Sequence, residues 1–261
     1  MDNNELQKLI KFHKNGDKDN SIKLAEKIIS KTFIPFVFFL VSKLKLYSNN
    51  YLKQLINYTK IFDKNNNVYI YFSLANQYDL KKKYKKAYYY YELGNNLKYN
   101  LQENKYSYDL QVKKYNILKN INLKINYKSE IKLVLIVGLP RCGSTILTKM
   151  LNYNNNFKDI GENLYSAKMI DLINNNLIDP IKKLDNFIQN NYSNKTIDKT
   201  LNNYTLIGFL KSIFINCKII HLKRNKYDQL WSNYSNLYGN GLIYTYNLSL
   251  IHISEPTVSY T

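Results

Sequence analysis

The sequence predicts an α/β domain, built on a parallel sheet flanked by helices, preceded by an all-α helical module. Three observations carry this. From Glu5 to about Leu118 there are long runs free of Gly and Pro in which apolar or aromatic residues return every three or four positions, the period of a helix with one buried face. Ile131 to Val137, IKLVLIV, is then a β-branched run ending at Gly138, as expected of a strand covered on both faces of a parallel sheet. A Gly-bearing turn follows, and Ile146 to Leu151 returns to a helical pattern. At 261 residues and 45% hydrophobic content the chain can bury one such domain and a smaller module.

Within the helical part the sharpest signal is at Tyr71, Leu74, Ala75, Tyr78, Ala87, Tyr91 and Gly94. These fall at the bulky, small and aromatic packing offsets of a tetratricopeptide repeat, with Lys81 to Lys83 as the turn. A fainter unit runs from Leu6 to Thr32, with Gly16-Asp17 as its turn and Ser21 and Ala25 at the small positions; Ile34 to Lys64 is room for another. The apolar window Phe33 to Val41 is nine residues long and contains Pro35, whereas a spanning helix needs about 20 residues. A buried helix is expected there, and no membrane span.

The net charge of +19 would ordinarily point to a polyanion partner. Only Arg141 and Arg224 among the 38 basic residues are Arg, however, and the abundance of Lys, Asn, Ile and Tyr follows A/T-rich codons. Nucleic acid is therefore not an expected partner. Cys142 and Cys217 make neither a disulfide framework nor a metal-ligand spacing, and the N-terminus has no signal-peptide pattern. A cytoplasmic location is expected, and no metal is required by the residues seen.

The strand leads into Gly138-Leu-Pro-Arg-Cys-Gly-Ser-Thr145. A strand, a Gly-bearing turn and a helix N-terminus make an anion seat of backbone N–H groups, aided by the helix dipole. The Gly138 to Gly143 spacing equals that of the nucleoside-triphosphate P-loop, but Ser144 replaces the Lys that reaches the β and γ phosphates. This argues against a kinase or ATPase and for a nucleotide without a γ-phosphate.

Leu135 to Thr145, LIVGLPRCGST, resembles the 5'-phosphosulfate loop of sulfotransferases that use 3'-phosphoadenosine 5'-phosphosulfate, usually PRSGTT. The resemblance implies that Pro140, Arg141, Cys142, Gly143, Ser144 and Thr145 bind the cofactor, Arg141 standing beside the sulfuryl group. Cys142 replaces the usual Ser and Ser144 the usual Thr.

Three further segments follow in family order. Gly161-Glu162 resembles the Gly-Glu of protein-tyrosine and tetratricopeptide-linked sulfotransferases, which implies that Glu162 takes the acceptor's proton. Ile197 to Tyr204, IDKTLNNY, resembles DKxPxNF, with Leu201 in place of the proline; Lys199 then stabilises charge on the transferring group. Arg224 and Ser232 are eight apart, as in the family's R-x7-S pair, which implies binding of the 3'-phosphate. Asp228 is expected to cap the helix that follows, and His221 to be a strand residue. Ala87 to Lys98 also resembles the last repeat before the sulfotransferase domain in tetratricopeptide-linked members.

Tyr244 to Leu248, YTYNL, resembles the family's YAYDL segment, whereas Leu248 to Thr257 resembles a translated sequencing-library adaptor. The expected organisation is therefore tetratricopeptide-like repeats and connector over 1–126, the N-terminal part of a P-loop-type sulfotransferase domain over 127–247, and a non-native tail over 248–261, which implies a C-terminally truncated enzyme. The acceptor is expected to bear a hydroxyl, on a protein tyrosine, glycan or small alcohol, and the repeats are expected to bind peptide. The alternatives are a non-catalytic tetratricopeptide adaptor with a degenerate nucleotide-binding domain and a P-loop nucleotide kinase.

Overall fold

The computed structural model describes residues 3–102, 127–154, 156–174, 180–239 and 242–253. The polar connector expected before residue 127 and the last eight residues of the expected tail lie outside them. The chain divides into two compact units, one of Met1–Tyr106 with Trp231–His252, the other of Ser107–Leu230 with Ile253–Thr261.

The first unit is helical: α1 (Asn3–Lys14), α2 (Lys18–Ile29), α3 (Pro35–Val41), α4 (Asn49–Tyr58), α5 (Lys64–Leu80) and α6 (Tyr84–Asn100). Its helix starts are written locally. Asp17, Ser48 and Asp63 cap α2, α4 and α5 by accepting backbone N–H groups, and Pro35 begins α3 where no N–H is needed. The turn at Lys81 to Lys83 falls where the sequence places it, with Lys82 at φ 55°. Leu9, Val37, Phe38, Leu55, Ile70 and Leu74 form the core, and Ser21, Ala25, Ala75 and Ala87 are fully buried at the expected small positions. Gly94 lets α6 approach α5 closely: a Cβ there would lie 2.9 Å from Phe72 Cδ2. The apolar window expected to be a buried helix is α3. Among the described residues no helix is long and apolar enough to cross a membrane.

The second unit is α/β, a parallel four-stranded sheet with helices. The strands are β1 (Ser129–Gly138), β2 (Lys158–Asp159), β3 (Lys195–Asp198) and β4 (Phe214–Leu222), in the order β2-β3-β1-β4. Between them run α7 (Ser144–Leu151), α8 (Tyr165–Asn174), α9 (Pro180–Asn191), a 3-10 turn (Leu201–Leu206) and α10 (Ile207–Ile213), and α11 (Lys226–Tyr234) begins after β4. Leu133, Leu135 and Val137 of β1 pack with Met169, Leu184, Ile188, Leu210 and Ile213. Ile136 is also fully buried, so β1 is covered on both faces at its C-terminal end, whereas Lys132 is exposed and Val134 half-buried. The strand expected over Lys218 to Leu222 starts earlier, at Phe214, where pairing with β1 begins; Asn216 and Lys218 fit in it because they stand on exposed positions of a strand paired only with β1 among the described residues. After α11 the described residues hold a 3-10 turn at Ile243–Tyr246 and α12 (Leu248–Ile253).

Candidate active site

Because all four strands are parallel, their C-terminal ends open at one edge of the sheet. Ligand sites in such sheets form outside that edge. Three of the sequence motifs leave the sheet there, after Gly138, Asp198 and Leu222, and the Gly161-Glu162 segment leaves it two residues after β2.

The first loop starts at the last residue pair of β1 and β4. Gly138 pairs with Leu222, and a Cβ on it would lie 2.7 Å from the Leu222 carbonyl oxygen. Arg141 (φ 68°) and Gly143 (φ 104°) then take left-handed backbone conformations. For Arg141 this is a rarely populated state that the surrounding bonds must hold. Those bonds come from the segment after β4. Arg224 Nη1 donates to the Arg141 carbonyl at 3.2 Å, and Gln229 Nε2 donates to the carbonyls of Leu139 and Pro140 at 3.2 and 3.1 Å. Three consecutive loop carbonyls are thus engaged from one side. A Cβ at Gly143 would meet no atom within 4 Å, and its carbonyl accepts from Ile146 and Leu147 N–H to begin α7.

Cys142 is the buried residue of this loop, and Thr145 is exposed in the first turn of α7. Burial pushes the Cys142 thiol up, against hydrogen bonds from the Ser144 backbone and side chain, and the Glu162 carboxylate pushes the same way. Ser144, the first residue of α7, is buried as well.

Glu162 and Lys199 are brought onto adjoining strand extensions. Ile160 N–H donates to the Ile197 carbonyl at 3.0 Å, Lys199 N–H to the Gly161 carbonyl at 3.1 Å, and Thr200 Oγ1 to the Asn163 carbonyl at 2.7 Å. Gly161 turns at φ 68°, and its N–H is held by Asp159 Oδ1. Glu162 is exposed and Lys199 half-buried. Asp198, the residue before Lys199, is fully buried, accepting from Thr200 N–H at 2.8 Å and Asn203 Nδ2 at 2.9 Å.

Arg224 is exposed, and Ser232 lies in the part of α11 that belongs to the first unit. His221 is a residue of β4, paired with Val137. The helix cap differs from expectation: Asn225 Oδ1 accepts from Tyr227 and Asp228 N–H at 3.0 and 3.3 Å, and Asp228 occupies the first turn. Asn fits this role as well as Asp does, and its place just before the helical run is the signal that identifies it. Gln229 was not signalled, since its partners lie about ninety residues away. No group of His, Cys, Asp and Glu suited to a metal ion occurs among the described residues.

An uncharacterized protein of Aquifex aeolicus (strain VF5) is 25% identical over 130 residues, covering 39% of this chain and 16% of that protein. The chain thus spans a small part of the length of that relative. No solved structure matches. Residues 132–245, which take in the four-stranded sheet from Lys132 onward and the helix after it, match the family model described as the sulfotransferase domain.

Proposed function

We propose that the chain transfers a sulfuryl group from 3'-phosphoadenosine 5'-phosphosulfate to a hydroxyl acceptor. The observation that carries this is the engagement of the Leu139, Pro140 and Arg141 carbonyls by Gln229 and Arg224. A loop whose carbonyls are held from one side, and whose next residues open a helix, suits an anion. When bound, the nucleotide supplies the activated sulfuryl group.

The chain's own residues do the rest. Backbone amides of the loop, the Ser144 and Thr145 hydroxyls and the Arg141 guanidinium bind the 5'-phosphosulfate, with Pro140, Cys142 and Gly143 shaping the loop. Arg224 and Ser232, by their motif spacing, bind the 3'-phosphate. Glu162 accepts the proton of the acceptor hydroxyl, which becomes acidic as the oxygen attacks, and Lys199 supplies positive charge where charge develops. In this reading the first unit is a tetratricopeptide-like module that presents a peptide or glycan-bearing acceptor. The close packing of α5 on α6 through Gly94 supports that assignment. A kinase has less support, because Ser144 stands in place of the P-loop Lys.

Calorimetric titration with 3'-phosphoadenosine 5'-phosphate, and with ATP and magnesium in parallel, tests the reading. The former binds more tightly, and Arg224→Ala weakens it roughly 10- to 100-fold through loss of a charge-assisted bond. Preference for ATP sinks the proposal. Glu162→Gln lowers kcat for sulfuryl transfer on the order of 10²- to 10⁴-fold; unchanged transfer removes Glu162 as the base.

A further inference from the structure

We propose that Asp198 is the positioning residue that holds Lys199 and Glu162 in register, an inference that rests on the sulfotransferase reading for its catalytic consequence. Asp198 is the last residue of β3, fixed against β1 through its pairing with Leu135. Its side chain is fully buried, so it cannot itself touch an acceptor. Its two oxygens divide their work: Oδ1 accepts the Thr200 N–H, and Oδ2 accepts the Asn203 amide.

Lys199 is the residue enclosed by this bracket. With the backbone pinned on both sides of it, the Lys199 N–H donates to the Gly161 carbonyl, immediately ahead of Glu162. Thr200, itself held by Asp198, closes a second bond onto Asn163, immediately after Glu162. The catalytic base and the cation therefore stand on two segments tied together on both sides of Glu162, and both ties run through residues that Asp198 fixes.

A buried carboxyl is costly when its hydrogen bonds are incomplete. Here burial raises its proton affinity, Asp159 adds to the effect, and bonds from Thr200 and Asn203 oppose it. Those bonds go to a backbone amide and a side-chain amide rather than to a cation. The arrangement thus fixes a backbone shape and leaves the Lys199 charge available.

The test exchanges the partners. Asp198→Asn turns one acceptor oxygen into an NH2 group, which, with the Asn203 amide oriented as in the native bond, faces a donor whichever way it is turned. Adding Asn203→Asp restores one donor and one acceptor at the same place. In native-state amide hydrogen exchange on the full chain, the Lys199 amide exchanges at least about tenfold faster in Asp198→Asn and returns to near wild-type protection in the exchanged pair. In steady-state kinetics Asp198→Asn lowers kcat on the order of 10²-fold while nucleotide affinity changes by less than about twofold, and the exchanged pair recovers most of kcat.

Unchanged Lys199 protection in Asp198→Asn overturns the proposal. So does an exchanged pair that melts like wild type yet recovers neither protection nor kcat. If protection follows the expected pattern but the wild-type chain transfers no sulfuryl group, the bracket stands and the sulfotransferase reading falls.

Discussion

The two units bury polar side chains to different ends. In the helical unit Gln77 is fully buried; its Oε1 accepts the Tyr47 N–H at 2.6 Å, and its Nε2 donates to the carbonyls of Ser42 and Lys45 at 2.6 and 2.7 Å. Beside it a chain runs from Tyr91 OH to Asn76, from Asn76 to Ser42, and from Ser42 to the Phe39 carbonyl. These groups lock α5 to the turn between α3 and α4 and to α6. In the α/β unit Asp198, Asn203 and Gln229 are equally buried, but they hold loops at the sheet's C-terminal edge. Arg141, Glu162 and Arg224 are exposed next to these holds. Buried polarity marks a site where it fixes backbone beside exposed charge, and marks architecture where it fixes helix to helix.

The largest effect is expected from breaking the architectural case. Gln77→Leu leaves one backbone N–H and two carbonyls without their partner inside the core, a cost of about 3–5 kcal/mol. Gln77→Glu fares nearly as badly, since a carboxylate keeps the acceptor for Tyr47 N–H but cannot donate to Ser42 and Lys45. Urea unfolding followed by circular dichroism reads both. A loss below about 1 kcal/mol would mean that water or a repacked turn replaces Gln77, and the network would not be the lock described.

A pair of glycines sharpens the comparison at smaller magnitude. A Cβ at Gly138 would lie 2.7 Å from the Leu222 carbonyl oxygen, and one at Gly94 would lie 2.9 Å from an edge atom of the Phe72 ring. The distances are alike but the neighbours are not. A carbonyl in a paired strand moves only by parting β1 from β4, so Gly138→Ala costs about 1–3 kcal/mol and weakens nucleotide binding at the loop. A ring edge can tilt, and Ala regains about 1 kcal/mol of helix propensity over Gly, so Gly94→Ala costs less. Thermal midpoints of the two variants rank them; the reverse order would refute the distinction.

What was legible in the sequence was local. The run before Gly138, the turn residues at Gly16-Asp17 and Lys81 to Lys83, and the motifs carrying Arg141, Glu162, Lys199 and Arg224 all declare themselves through neighbours a few positions away. Helix and turn signals are local because capping and φ preferences act over a turn or two. The residues that hold the loops were hidden for the opposite reason. Gln229 reads as one more polar residue on a helix until Leu139 and Pro140 come to meet it. Gln77 reads as solvent-exposed until the α3–α4 turn folds over it. Asn225, rather than the expected Asp228, caps α11, and its place just ahead of the helical run is a local signal of that. The early start of β4 was obscured by Asn216 and Lys218, whose exposure follows from the strand's pairing on one side, a fact of topology rather than of composition.

The smallest effect reads the α/β unit alone, because both cysteines of the chain lie in it. Burial raises the Cys142 thiol above its ordinary range and moves Cys217 to about 11. Only the thiolate alkylates, so a raised value means a smaller reactive fraction near neutral pH and a rate that keeps climbing beyond the pH where a free thiol levels off. In Cys217→Ser, iodoacetamide should modify Cys142 at pH 8 roughly tenfold more slowly than a free thiol, by its protonation and its burial together. Adding 3'-phosphoadenosine 5'-phosphate should slow it further, because Cys142 belongs to the loop whose amides are proposed to hold the phosphate. Free-thiol reactivity at pH 8 would show a loop that is open and a Cys142 that is not buried. A slow thiol indifferent to the nucleotide would keep the buried loop and take the phosphate elsewhere.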